Sequence, residues 1–126
     1  MYRNAFLFAA ALTFLVGVAP ARSNWAWMGG SAVLEFTDRD WEILKAEARR
    51  VLDEVDSGVR VDWRNEESGN SGAIKALMTF THEGMTCRRL AFLNLSKKGV
   101  RGVSNYNLCR QDDGGWAFLS DSEIRG

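Results

Sequence analysis

Histidine occurs once in these 126 residues, cysteine twice and proline once. Cys87 and Cys109 form no Cys-x-x-Cys and cluster with no histidine, and neither belongs to a haem-attachment signature. Those absences argue against a metal centre or a dithiol redox centre. Net charge is lacking too, with 16 basic against 16 acidic side chains. A chain so balanced has no long-range field to steer it to nucleic acid or anionic lipid. There is no internal repeat and no low-complexity tract. Gly69 and Gly72 lead into Ala73, Ile74 and Lys75 rather than a Lys-Ser/Thr step and a helix, so they do not make a phosphate-cradling loop. No nucleophile–base pair or metal cluster is legible, so neither catalysis nor a cofactor is expected.

The N-terminus opens with Arg3 as its only charged residue, then an apolar run over residues 5–18, then Ala19, Pro20 and Ala21. That layout predicts a signal peptide over residues 1–21, too short and wrongly flanked for a stable membrane span, with a retained N-terminal anchor as the rival reading. No cysteine follows the run, so a lipid anchor through a cysteine at the cleavage point is not expected. Residues 22–36 carry Trp25, Trp27, Met28 and a Gly29-Gly30 pair without clear period, which reads as a tether. Residues 37–126 form the domain. A domain this small benefits from a covalent staple, and an even pair of cysteines in an exported chain reads as a disulfide.

From Thr37 the pattern is helical. Thr37 and Asp40 fit a capping box, with Phe36 and Trp41 placed as its hydrophobic staple. Trp41, Leu44, Ala48, Val51, Leu52 and Val55 recur at helical spacing, and Ser57-Gly58 supplies a stop. The expectation is one amphipathic helix over about residues 38–56. Its acidic residues, Glu42, Glu47, Asp53 and Glu54, read as a solvated face.

After Gly58 the chain alternates like sheet. Short runs near 59–63, 73–82, 85–95, 100–110 and 116–120 are separated by glycine-bearing turns, predicting an antiparallel meander of four to five strands. The fold class is therefore α+β, one helix packed on the sheet. A turn centred on Lys98 sets Cys87 directly opposite Cys109, with Leu95 over Arg101, Leu93 over Val103 and Ala91 over Asn105. Opposed residues lie within disulfide reach, unless a bulge breaks the register.

The candidate ligand contacts are Trp63, Asn65, Arg88, Arg110 and Trp116. Arg88 and Arg110 each follow a cysteine and so face away from the disulfide as diagonal neighbours. An anion between them is one reading; salt bridges to Asp62, Glu66, Asp112 or Asp113 are the other. The asparagines, serines and glycines of residues 64–72 suit a strand-to-strand turn. His82, beside Glu83 and a turn, reads as a surface residue.

Four segments in order carry a resemblance: DWRN at 62–65, SGNSG at 68–72, GMTCR at 84–88 and CRQDDGGW at 109–116. Together they resemble the C-terminal domain of the bacterial 17 kDa surface antigen family, whose members share a W-x-N…(S/T)G-x-x-G segment, a first Cys-Arg and a closing C-R-x-x-D-G-x-W. The resemblance runs over residues 51–119. It implies an exported, envelope-associated domain and brings no catalytic residues. The lipoprotein cysteine and glycine-rich membrane-associating stretch of many members have no counterpart here, and Trp116 comes one residue late. The expectation is a periplasmic or peripherally outer-membrane-associated protein with an envelope partner and no nucleic acid. It would act through structure or binding, with Trp25, Trp27, Trp63, Tyr106 and Trp116 as candidate contact aromatics. The rival is a module for an anionic or glycan ligand using Arg88, Arg110 and the loop over residues 65–72.

Overall fold

The computed structural model describes residues 31 to 125. The segment read as a signal peptide, and Trp25 and Trp27 of the tether, lie outside the described residues. Thr37 has extended backbone, and its Oγ1 accepts from the Asp40 N–H at 3.2 Å while Asp40 Oδ2 accepts from the Thr37 N–H at 2.7 Å. The capping box therefore forms as expected and starts α1, Asp38–Glu54. Phe36 and Trp41 meet edge to face with ring centroids 5.6 Å apart, which is the predicted staple. The helix stops at Glu54 rather than near residue 56, because Val55 turns to extended backbone. Gly58, at positive φ, serves the following turn instead, and its N–H donates to the carbonyl of Ala76 at 2.7 Å.

Five strands follow: β1 Arg60–Arg64, β2 Ser71–His82, β3 Met85–Leu95, β4 Arg101–Arg110 and β5 Trp116–Leu119. They form one antiparallel meander in the order β1-β2-β3-β4-β5. The β3–β4 register runs unbroken, pairing Leu95 with Arg101, Leu93 with Val103, Ala91 with Asn105 and Cys87 with Cys109, as the turn at Lys98 predicts. A register shift lies instead between β2 and β3, around Ala76 and Met78. Val59 precedes β1 and is exposed, whereas Val61 and Trp63 are buried.

The core lies between α1 and one sheet face. Trp41, Leu44, Ala48, Val51 and Leu52 of the helix meet Val61, Trp63, Ile74, Ala76, Leu90, Phe92 and Leu108 of the sheet. A 3-10 turn, Ser31–Glu35, rests on β3 and β4, with Ala32 buried over Gly102. A five-residue helix, α2 Asp121–Arg125, ends the described chain. Among the described residues no helix is long and apolar enough to cross a membrane.

Candidate functional site

The loop over residues 64–72 is built around Asp40. Asn65 Nδ2 and Ser68 Oγ donate to Asp40 Oδ1 at 2.8 and 2.6 Å, and Asn70 Nδ2 donates to Oδ2 at 2.7 Å. Asn70 also donates to the Glu35 carbonyl and accepts from the Lys97 N–H, so one side chain joins the 3-10 turn, α1 and the β3–β4 turn. Asp40 is fully buried. Burial pushes its pKa up, but the donors from Ser68, Asn70, the Thr37 backbone and Asn65 together outweigh that and hold it below the ordinary carboxylate value. The polar loop is thus an extension of the helix cap. Its tryptophan and glycine are equally joined: Trp63 and Gly72 are cross-strand partners, and the indole lies where a side chain at 72 would stand.

Arg88 is buried beneath the C-terminal end of α1. Its Nη1 donates to the carbonyls of Val51 and Leu52, its Nε to Thr79 Oγ1 at 3.0 Å and its Nη2 to Ser57 Oγ at 3.3 Å. A cation against the last carbonyls of a helix meets the negative end of the helix dipole. On the opposite sheet face Cys87 and Cys109 form the expected disulfide, both buried. His82 stands at the end of β2 with Nε2 3.8 Å from Glu83 Oε1, and no free thiol lies near it because Cys87 is bridged.

Arg110 and Trp116 are paired across β4 and β5, with the guanidinium 5.7 Å from the indole centroid. Asp53 of α1 accepts from Trp116 Nε1 at 2.8 Å and lies 3.7 Å from Arg110 Nη2. Beside this trio a groove of about 440 Å³ opens between α1 and the start of β5, lined by Lys45, Ala46, Arg49, Leu52, Gly115 and Trp116. Cations, an aromatic face and an apolar floor at Leu52 suit a ligand with an anionic group and an apolar body.

Of the sequence candidates, the structure brings together only Arg110 and Trp116. Arg88 lies under the helix C-terminus, and Asn65 and Trp63 lie toward its N-terminal end. Tyr106 lies between Phe92, tilted to it at 6.0 Å, and Phe118, edge to face at 5.7 Å. Asp53 was legible only as part of a solvated helix face; its approach, and that of Lys45 and Arg49, to β5 is set by the sheet, not by local sequence. Among the described residues no group of three His, Cys, Asp or Glu side chains is placed to hold a metal ion.

No protein-family model matches the chain, and no solved structure does. Curated relatives do match. The 17 kDa surface antigen of Rickettsia prowazekii (strain Madrid E) is 31% identical over 85 residues, covering 66% of this chain and 52% of the relative. That of Rickettsia conorii (strain ATCC VR-613 / Malish 7) is 30% identical over 84 residues, and that of Rickettsia bellii (strain RML369-C) 26% over 84. The chain spans about half the length of the curated relatives it matches. Over the matched residues it is a homologue of the 17 kDa surface antigens, the family that its four motif segments resemble.

Proposed function

We propose that this chain is an exported, non-enzymatic cell-envelope protein of the surface-antigen type, periplasmic or loosely attached to the outer membrane, acting by binding or as a structural component. The observation that carries the reading is the disulfide joining Cys87 to Cys109 inside the sheet. A bridge of this kind persists in oxidising compartments and is rare where thiols are kept reduced. The relatives named as surface antigens and the leader-like N-terminus agree with that compartment. Asn65, Ser68, Asn70 and Arg88 are all engaged in hydrogen bonds that hold the fold together, which suits a structural role. The test is the mass of the protein from the native envelope, alkylated with and without reductant. A chain beginning near Arg22, with both cysteines alkylated only after reduction, supports export. An uncleaved chain with two free thiols overturns it.

A second reading, recognition of an anionic or glycan ligand, is favoured by the groove beside Arg110 and Trp116. Arg49 supplies a donor from its wall, Arg110 stands beside it against Trp116, and the indole offers a stacking face. Ligand-induced thermal stabilisation that disappears in Arg49→Ala/Arg110→Ala supports this reading, and stabilisation unchanged in that variant excludes it.

A further inference from the structure

The face of the sheet opposite α1 is covered unevenly. The register sets its cross-strand rows: Arg64, Ser71, Leu95 and Arg101; then Asp62, Ala73, Leu93 and Val103; then Arg60, Lys75, Ala91 and Asn105. Toward the disulfide the chain covers the face itself, because Asp121 of α2 accepts from Arg89 and Asn107, tying the terminal helix across β3 and β4. Among the described residues, the three rows at the other end carry no such cover. Val103 there is 66% exposed and Leu95 39%. Two shallow hollows of about 220 and 200 Å³ sit side by side in this end and share Arg60 and Leu93.

We propose that this bare end, where Lys75 and Arg101 flank the apolar strip of Leu93, Leu95 and Val103, docks on the surface of an anionic phospholipid bilayer. Charge decides the occupant. The rows hold four basic side chains, Arg60, Arg64, Lys75 and Arg101, against Asp62, with Glu66 reaching in from the loop. Arg60 pairs with Asp62 and Arg64 with Glu66, but all four groups are exposed, so these pairs are weak and exchange readily with lipid phosphates. Lys75 and Arg101 form no ion pair among the described residues. The balanced total charge removes steering from a distance, yet the fold gathers a basic excess on one flat face. A free anion would satisfy the cations and leave Val103 and Leu95 in water. A bilayer interface takes both, the apolar strip at the acyl boundary and the long basic side chains reaching to headgroups. Each basic group near such a surface raises partitioning by about fivefold, and the attraction fades beyond a Debye length.

This surface lies on the far side of the sheet from the groove beside Trp116, and its failure would leave the reading of an exported envelope protein standing. The experiment is co-sedimentation of the full chain, disulfide intact, with phosphatidylglycerol or phosphatidylcholine vesicles at low and high salt. Every variant keeps residues 1–30, so the apolar N-terminal run contributes equally throughout. The expected result is salt-sensitive preference for phosphatidylglycerol. Lys75→Gln/Arg101→Gln should lower it by about twenty-five-fold, following the fivefold step for each cation. Val103→Ser, at an exposed position, removes apolar surface without changing charge and should weaken it separately. Arg50→Gln, which removes the same charge from the solvent side of α1, should leave it unchanged. Equal binding to both vesicles, no loss in the double variant or in Val103→Ser, or an equal loss per charge in Arg50→Gln would overturn the proposal. So would soluble polyphosphate competing at the same phosphate concentration as vesicles, which would mark a polyanion site instead.

Discussion

Trp63 and Gly72 face each other across β1 and β2, and the indole fills the space above the glycine: a Cβ at 72 would stand 2.5 Å from Trp63 Nε1 and 2.5 Å from the Leu93 carbonyl oxygen. The tryptophan and the last glycine of the W-x-N…G-x-x-G pattern are therefore one packing unit. Gly72 has ordinary backbone, so its identity is a matter of space. Gly72→Ala is expected to cost about 2–3 kcal/mol, as overpacking against backbone does. Gly84→Ala, in open space but at positive φ, should cost about 1 kcal/mol. Urea midpoints compare the two, and equal costs would show that Trp63 does not hold that position.

Arg88 is expected to matter through hydrogen bonds rather than charge pairing. Its fork reaches two helix carbonyls and two hydroxyls, so Arg88→Ala leaves buried acceptors at the end of α1 and should lose about 2–4 kcal/mol. Arg88→Lys keeps the charge but lacks the planar fork and should recover less than half of that. Full rescue by lysine in equilibrium unfolding would mean that the dipole alone accounts for the contact.

The order and pairing of the strands were legible because the turns fix register and the alternation fixes faces; Cys87 over Cys109 follows from both. The helix start was legible because Thr37, Asp40, Phe36 and Trp41 act within one turn. Its end was legible only to within about a turn: Gly58, the expected stop, serves the following turn through its bond to Ala76, a partner that local sequence does not reveal. The role of Arg88, and the contacts of Asp40 beyond its capping box, were hidden for the same reason. Both are charged side chains buried against neutral donors or acceptors from distant segments, and charge counting suggests carboxylate partners for Arg88 instead. The turn residues Ser68 and Asn70 announced a loop, but only the fold shows that their side chains converge on the helix cap.

Asp53 is the link between α1 and the short edge strand β5. Its carboxylate takes the Trp116 N–H and stands beside Arg110. Asp53→Ala should cost no more than about 1 kcal/mol of global stability, since the contact is largely exposed. It should instead raise hydrogen exchange at the backbone amides of β5, leaving those of β3 protected. Protection of β5 identical to the parent would show that strand pairing with β4 suffices without the helix.

Asp40 gives the fold a defined response to acid. Its pKa in the folded state lies below the ordinary value of 3.8, so its contribution is complete above that value and is lost as pH falls through the folded pKa. Protonation would turn one of the acceptors into a donor facing Asn65 and Ser68, or Asn70 and Thr37, all of which already donate. Asp40→Asn introduces the same mismatch at every pH. The variant should be about 2 kcal/mol less stable at neutral pH, and the gap should narrow as pH falls below 3.8. Asp121 and Glu123, whose pKa values are also lowered by their hydrogen bonds, add to the acid loss of both proteins and cancel in the difference. Urea unfolding of the pair across that range isolates Asp40. A gap that stays constant with pH would mean that the donors around the carboxylate do not distinguish its charged form, and the cap would have to be held by shape alone.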